Sequence, residues 1–135
     1  PAAATGSVGL NVLCDPSGRE ATRIEVDRQA GVVRLDLAHA SLDESIRHTT
    51  FCMYGGDNPD VTVQEAPVEL DPKEALVLRV FVDRSIVEVF VNDRQCVTQR
   101  VYPTLPESVG VSMVAAGAPA SVSVRGWTMS PTNAW

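Results

Sequence analysis

Leu78-Arg79-Val80-Phe81-Val82-Asp83-Arg84-Ser85-Ile86-Val87-Glu88-Val89-Phe90-Val91-Asn92-Asp93-Arg94 is the stretch that decides the fold. Apolar side chains recur at every second position on both sides of Asp83-Arg84-Ser85, which is the period of a strand and not of a helix. A second polar turn, Asn92-Asp93-Arg94, closes the second strand and opens a third, so residues 76–102 read as a three-stranded meander. A loop of two or four residues at the first turn puts Leu78, Val80, Val82, Val87, Val89 and Val91 on one face. Arg79, Phe81, Ile86, Glu88 and Phe90 then share the other. A three-residue loop would slip the register by one and mix the two sets. The wholly aliphatic face is assigned to the core. The aromatic and charged face is a candidate contact surface, with Glu88 expected to pair with Arg79 across the strands. The plainer alternative is a second, partly solvated sheet face covered by its own loops.

Working outward, Pro103 and Pro106 end the meander, because proline cannot donate to a ladder. Two further strands are expected over residues 109–115 and 120–128, joined by Gly117-Ala118-Pro119. Upstream, residues 8–14 form a short apolar run stopped by Asp15-Pro16-Ser17-Gly18, a strong turn signal. Thr22, Ile24 and Val26 alternate with Arg23, Glu25 and Asp27. After Gln29-Ala30-Gly31, Val33, Leu35 and Leu37 alternate with Arg34 and Asp36, which makes a hairpin. The pattern fails between residues 38 and 59, where Ser41 and Glu44 are placed to cap one helical turn and Gly55-Gly56-Asp57-Asn58-Pro59 is a loop. Strands resume over 61–65 and 68–70. Nine or ten short strands in this rhythm predict an all-β, antiparallel two-sheet β-sandwich, of the concanavalin or lectin-like jelly-roll kind, in one domain over residues 1–135.

The composition agrees. The chain has 135 residues, 44% of them hydrophobic and 21% charged, with a mean hydropathy of +0.02, which suits a core-bearing globular domain. No apolar run approaches the ~20 residues of a membrane-spanning helix, so no membrane partner is expected. A net charge of −6 lacks the basic footprint that phosphate backbones demand, so no nucleic-acid partner is expected either. Pro1-Ala2-Ala3-Ala4 opens the sequence without an initiator methionine, and residues 1–7 read as linker-like, the start of a piece cut from something longer.

Reactive constellations are scarce. Cys14, Cys52 and Cys96 fit neither a closed disulfide set nor a zinc pattern, and His39 and His48 are not at metal-pair spacing. No metal or organic cofactor is implied. Asp83 and Glu88 are the only carboxylates in a distinctive context. As a glycosidase pair they would need one member in a pocket that raises its pKa. A turn aspartate bonded to backbone amides and a strand glutamate beside arginine suit that role poorly. No catalytic residue is therefore assigned. Sugar stacking would need exposed aromatics; Tyr54 and Trp135 are the freest candidates, whereas Phe81, Phe90 and Trp127 read as packing residues.

The 78–94 hairpin closely resembles the signature hairpin of the C-terminal β-sandwich of glycoside hydrolase family 32, the family of invertases, levanases and inulinases. The resemblance continues through Thr98-Gln99-Arg100-Val101-Tyr102-Pro103, Val109-Gly110-Val111-Ser112 and Trp127-Thr128-Met129. Upstream it includes Gly9-Leu10-Asn11-Val12-Leu13 and Glu20-Ala21-Thr22-Arg23-Ile24 with Val26-Asp27. Leu35-Asp36-Leu37-Ala38-His39-Ala40-Ser41-Leu42 departs from the Asp-Arg-Ser-Arg-Ser-like segment of many members. In the family the catalytic carboxylates sit in Trp-Met-Asn-Asp-Pro-Asn-like, Arg-Asp-Pro and Glu-Cys motifs of an N-terminal five-bladed propeller, and none of these motifs occurs in this sequence.

The resemblance thus implies a non-catalytic C-terminal module of a β-fructosidase. Such a module would stabilise the propeller through a face such as Arg79, Phe81, Ile86, Glu88 and Phe90, and would aid fructan binding or self-association. A free-standing lectin-like carbohydrate-binding module and a structural oligomerisation domain are the alternatives.

Overall fold

Alternation becomes burial wherever two strands meet. In the computed structural model, which describes residues 6–48, 60–117 and 121–130, eight strands are present: β1 (Gly6–Cys14), β2 (Ala21–Asp27), β3 (Val32–His39), β4 (Val63–Pro67), β5 (Leu78–Asp83), β6 (Ile86–Val91), β7 (Gln95–Arg100) and β8 (Gly110–Gly117). Every pairing is antiparallel. The strands form a five-stranded sheet in the order β4-β3-β2-β1-β8 and a three-stranded sheet in the order β5-β6-β7. Val12, Ile24, Val26, Val33, Leu35 and Leu37 of the first sheet pack on Val87, Val89, Val91 and Val97 of the second in one core. This is the expected two-sheet β-sandwich.

The turns follow their residue chemistry. The Asp15 carbonyl accepts the Gly18 N–H at 3.0 Å, and Gly18 takes a φ of 71° that costs other residues more. The Asp27 carboxylate accepts the N–H groups of Gln29 and Ala30, both at 2.9 Å, an Asx turn that starts the return into β3. The decisive hairpin has a two-residue loop, pairing Asp83 with Ile86 and Val82 with Val87, as the facial segregation of its residues required. Arg84 holds a φ of 53° at the first loop position. Asn92 and Asp93, at 47° and 56°, supply the two left-handed residues that a tight β6–β7 turn demands.

Four expectations need correction. Residues 68–70 form no strand; Val68 is buried but its N–H goes to the Gly31 carbonyl at 2.8 Å, just past the end of β4. The Ser41 and Glu44 capping pair does not form. Asp43 organises a single turn instead, its carboxylate accepting the Ser45 N–H at 2.9 Å and its carbonyl the Ile46 N–H at 3.0 Å. The last expected strand is missing too: residues 121–130 are exposed throughout and carry no regular structure. Trp127 with them is 79% exposed instead of packed. The Gly55–Pro59 loop, Tyr54, Cys52 and Trp135 lie outside the described residues.

Candidate functional site

The side chains of β5 and β6 that do not enter the core leave the sandwich on its outer surface. Val87, Val89 and Val91 are fully buried, so period-two geometry sends Ile86, Glu88 and Phe90 outward. The β5–β6 register sets Arg79 opposite Phe90, Phe81 opposite Glu88 and Asp83 opposite Ile86. The five candidate residues therefore do share one face. Phe81 and Phe90 meet edge to face, with ring centroids 5.8 Å apart and planes at 89°, an arrangement that the aromatic quadrupole favours. Phe81 is 40% exposed, whereas Ile86, Glu88 and Phe90 are half-buried.

The expected Arg79–Glu88 pair is not made. Arg79 instead pairs with Asp93, at the β6–β7 turn. Glu88 lies two residues along the ladder from Arg79's partner, opposite Phe81 and Thr98, and takes part in no ion pair among the described residues. This face sets the Phe81–Phe90 pair and Ile86 around the Glu88 carboxylate in mid-β6, with the Arg79–Asp93 ion pair at its rim.

A second feature escaped the sequence. Glu20, at the entrance to β2, has no exposed surface, yet its carboxylate is fully partnered. Oε1 accepts the Leu42 N–H at 2.8 Å, the Thr104 N–H at 2.8 Å and the Thr104 hydroxyl at 2.6 Å. Oε2 accepts the Leu105 N–H at 3.0 Å and the Ser108 hydroxyl at 2.6 Å. Burial works against the charge, but the hydroxyls of Ser108 and Thr104 and the N–H groups of Thr104 and Leu105 outweigh it, leaving the pKa at about 2.

Asp15 adjoins Glu20. It accepts the Glu20 N–H at 2.8 Å, the principal reason its carboxyl titrates below the ordinary range, and is helped by Arg19 and Ser17. Arg19 bridges on to Glu107, both of its ion-pair distances being 3.0 Å. The result is a polar lock holding the β1–β2 turn, the segment after β3 and the β7–β8 connection together. Only the donors, one 22 residues away and the others 84 to 88 residues away in sequence, distinguish Glu20 from a surface carboxylate.

Two open depressions accompany these features. One, of about 450 Å³, lies at the β1–β8 end between Asn11, Cys14, Asp15, Glu107, Val111 and Ser112. The other, of about 260 Å³, is bounded by Ser41, Asp43, Arg47, His48, Asp60 and Thr62. Four of their five carboxylates are committed, Asp15 and Glu107 to the lock, Asp43 to Ser45, and Asp60 to the His48 N–H at 2.8 Å, while Glu44 lines the second depression without such a bond among the described residues. No described aromatic side chain lines either one, so neither offers a stacking platform for a sugar ring.

A family model described as Glycosyl hydrolases family 32 C terminal matches residues 2–129. No curated protein matches the chain. Among solved structures, the exo-inulinase of Aspergillus awamori aligns with a TM-score of 0.63 and 23% identity, over 84% of this chain and 19% of that one. The β-fructofuranosidase of Aspergillus kawachii, complexed with glycerol, aligns with a TM-score of 0.55 and 20% identity, over 85% of this chain and 19% of that one. The likeness to both lies in the fold, and the chain spans about a fifth of their length.

Proposed function

Because the chain belongs to the C-terminal family of the family 32 glycosyl hydrolases, we propose that it is the non-catalytic β-sandwich module of a β-fructosidase. Its partner is the catalytic N-terminal propeller, and the contact is made by the outer face of the β5–β6 hairpin. The observation that carries the contact is the composition of that face: the Phe81–Phe90 pair and Ile86 gather around Glu88 at its centre, with the Arg79–Asp93 ion pair at its edge. Aromatic side chains gathered on a partly exposed face are the enrichment that marks protein interfaces. The two depressions, without aromatic lining, favour a propeller contact over a lectin-like site. Fructan contact belongs to the assembled enzyme in this scheme. The same face draws two copies of the isolated chain together when no propeller is present.

The test is co-expression with a family 32 propeller that lacks its own sandwich. The wild-type chain should co-purify with the propeller and keep it soluble. Phe81→Ser with Phe90→Ser should abolish co-purification and also lower the mass seen in sedimentation equilibrium, while both chains stay folded by circular dichroism. A double variant that still co-purifies in full would remove the hairpin face from the interface.

A further inference from the structure

The outward side chains of the small sheet form an array of three rows, and its middle member is a carboxylate. On β7, Val97 and Gln99 are buried, so Cys96, Thr98 and Arg100 point outward with the hairpin residues. The ladders align Arg79, Phe90 and Cys96 in one row and Phe81, Glu88 and Thr98 in the next. Asp83, Ile86 and Arg100 make the third. Glu88 thus stands at the geometric centre, with Phe81 directly across one ladder and Ile86 and Phe90 on either side of it along β6.

No cation of the face neutralises this carboxylate. Arg79 is held by Asp93 at the rim. Arg100 lies one row away and takes part in no ion pair among the described residues. Glu88 is half-buried and accepts no hydrogen bond among them, so its charge depends on water reaching the open side of the sheet. A partner that covers the Phe81–Phe90 pair removes that water. A carboxylate buried without a counter-charge is costly, so the partner has to bring a cation to the middle of the contact.

A second copy of the chain cannot do so. When two identical faces pack about a two-fold axis through their middle, the central residue meets its own copy whichever way the axis runs. Glu88 is then set against Glu88, and like charges repel strongly in a partly desolvated contact.

We infer that Glu88 is the specificity-determining residue of this face: it admits a partner that presents an arginine or lysine side chain to the centre of the array, and it opposes a second copy of the chain. The inference rests on the proposed docking of the propeller here, and it assigns the docked propeller surface a basic side chain at that point. The aromatic pair attracts either partner. Glu88 decides between them, since the same charge is an attractive element toward one and a repulsive element toward the other. The isolated chain self-associates through its aromatic pair only against this repulsion.

Glu88→Gln removes the charge and keeps the shape, so it should move two equilibria in opposite directions. Calorimetric affinity for the sandwich-free family 32 propeller should fall by about thirtyfold or more, and the self-association constant from sedimentation equilibrium should rise by about tenfold. Affinity is the quantity to read, because with the sandwich in excess the restored turnover is that of the assembled enzyme. Added salt should shift the wild type in the same two directions and leave Glu88→Gln nearly unmoved. Glu88→Asp, which keeps the charge, should stay close to the wild type in both equilibria. Shifts of the same sign in Glu88→Gln, or no shift in one of the two equilibria, would overturn the assignment and leave the docking face standing. A wild-type chain that does not bind the propeller would overturn the docking itself, and this inference with it. So would full binding by Phe81→Ser with Phe90→Ser.

Discussion

At the scale of single residues, Glu20 shows how one buried charge can organise three connections. Its five acceptor bonds reach Leu42, Thr104, Leu105 and Ser108. Two of the donating N–H groups lie between Pro103 and Pro106, in a segment that has no ladder of its own. Glu20→Gln keeps the shape but turns an NH2 group toward donors in place of one oxygen. The expected loss of stability at pH 7 is about 2–4 kcal/mol, from buried donors left without acceptors, read by urea unfolding. The pH dependence follows from the direction of the shift. A carboxyl at about 2 in the folded chain against 4.5 unfolded contributes stability that is complete above pH 4.5 and is lost as the pH falls toward 2. The depressed carboxyls of Asp15, Asp27, Asp43 and Glu74 act in the same direction. In Glu20→Gln the acid-side decline should be shallower, and wild type and variant should converge toward pH 2. Parallel curves between pH 4.5 and 2 would show that Glu20 does not carry this charge.

At the scale of elements, the same period-two logic succeeded for the β5–β6 hairpin and stopped short for residues 121–129. The hairpin was legible because its apolar set and its turn residues agree on a single register: any slip would put Arg79 or Glu88 into the core. A strand's existence, by contrast, depends on a neighbour with free edge groups, and alternation in Ser121-Val122-Ser123-Val124 says nothing of whether one is engaged. Cross-strand partners are also less legible than faces. Arg79 and Glu88 were rightly placed on one side, but Arg79 turns toward the β6–β7 loop, where the left-handed Asp93 presents its carboxylate. Glu20 was illegible for a different reason, since four of its five bonds come from residues 104–108, far along the chain. The Arg79–Asp93 pair is more than half exposed on both sides, which places it among ion pairs worth roughly 0–1 kcal/mol. Arg79→Ala and Glu88→Ala should therefore each cost less than about 1 kcal/mol in the isolated chain. Thermal and urea unfolding of the two variants provide the check. A loss of about 3 kcal/mol or more for Glu88→Ala would instead reveal a buried partner for its charge.

At the scale of the whole molecule, the carboxylates decide what the chain can do to a glycosidic bond. Hydrolysis by either stereochemical route needs two carboxyl groups flanking the sugar, about 5–10 Å apart, one of them kept protonated as the acid. The described carboxylates with resolved shifts move the wrong way for an acid: Asp15, Glu20, Asp27, Asp43 and Glu74 are all held below their ordinary values by hydrogen bonds or ion pairs. Glu20 is further sealed from substrate by burial, and Asp15 and Glu107 are tied through Arg19. What remains distinctive is the hairpin, where Asp83 closes β5 and Glu88 sits on β6 opposite Phe81, two residues before Phe90. Neither residue lines a depression. The isolated chain should accordingly release no reducing sugar from sucrose, inulin or levan above a buffer control, across pH 4 to 8. Addition of a family 32 propeller should restore hydrolysis, whereas Glu88→Gln in this chain should leave that restored rate unchanged. Turnover by the chain alone that disappears in Glu88→Gln, with the fold intact by circular dichroism, would give the hairpin a catalytic carboxylate and overturn the assignment of a non-catalytic module.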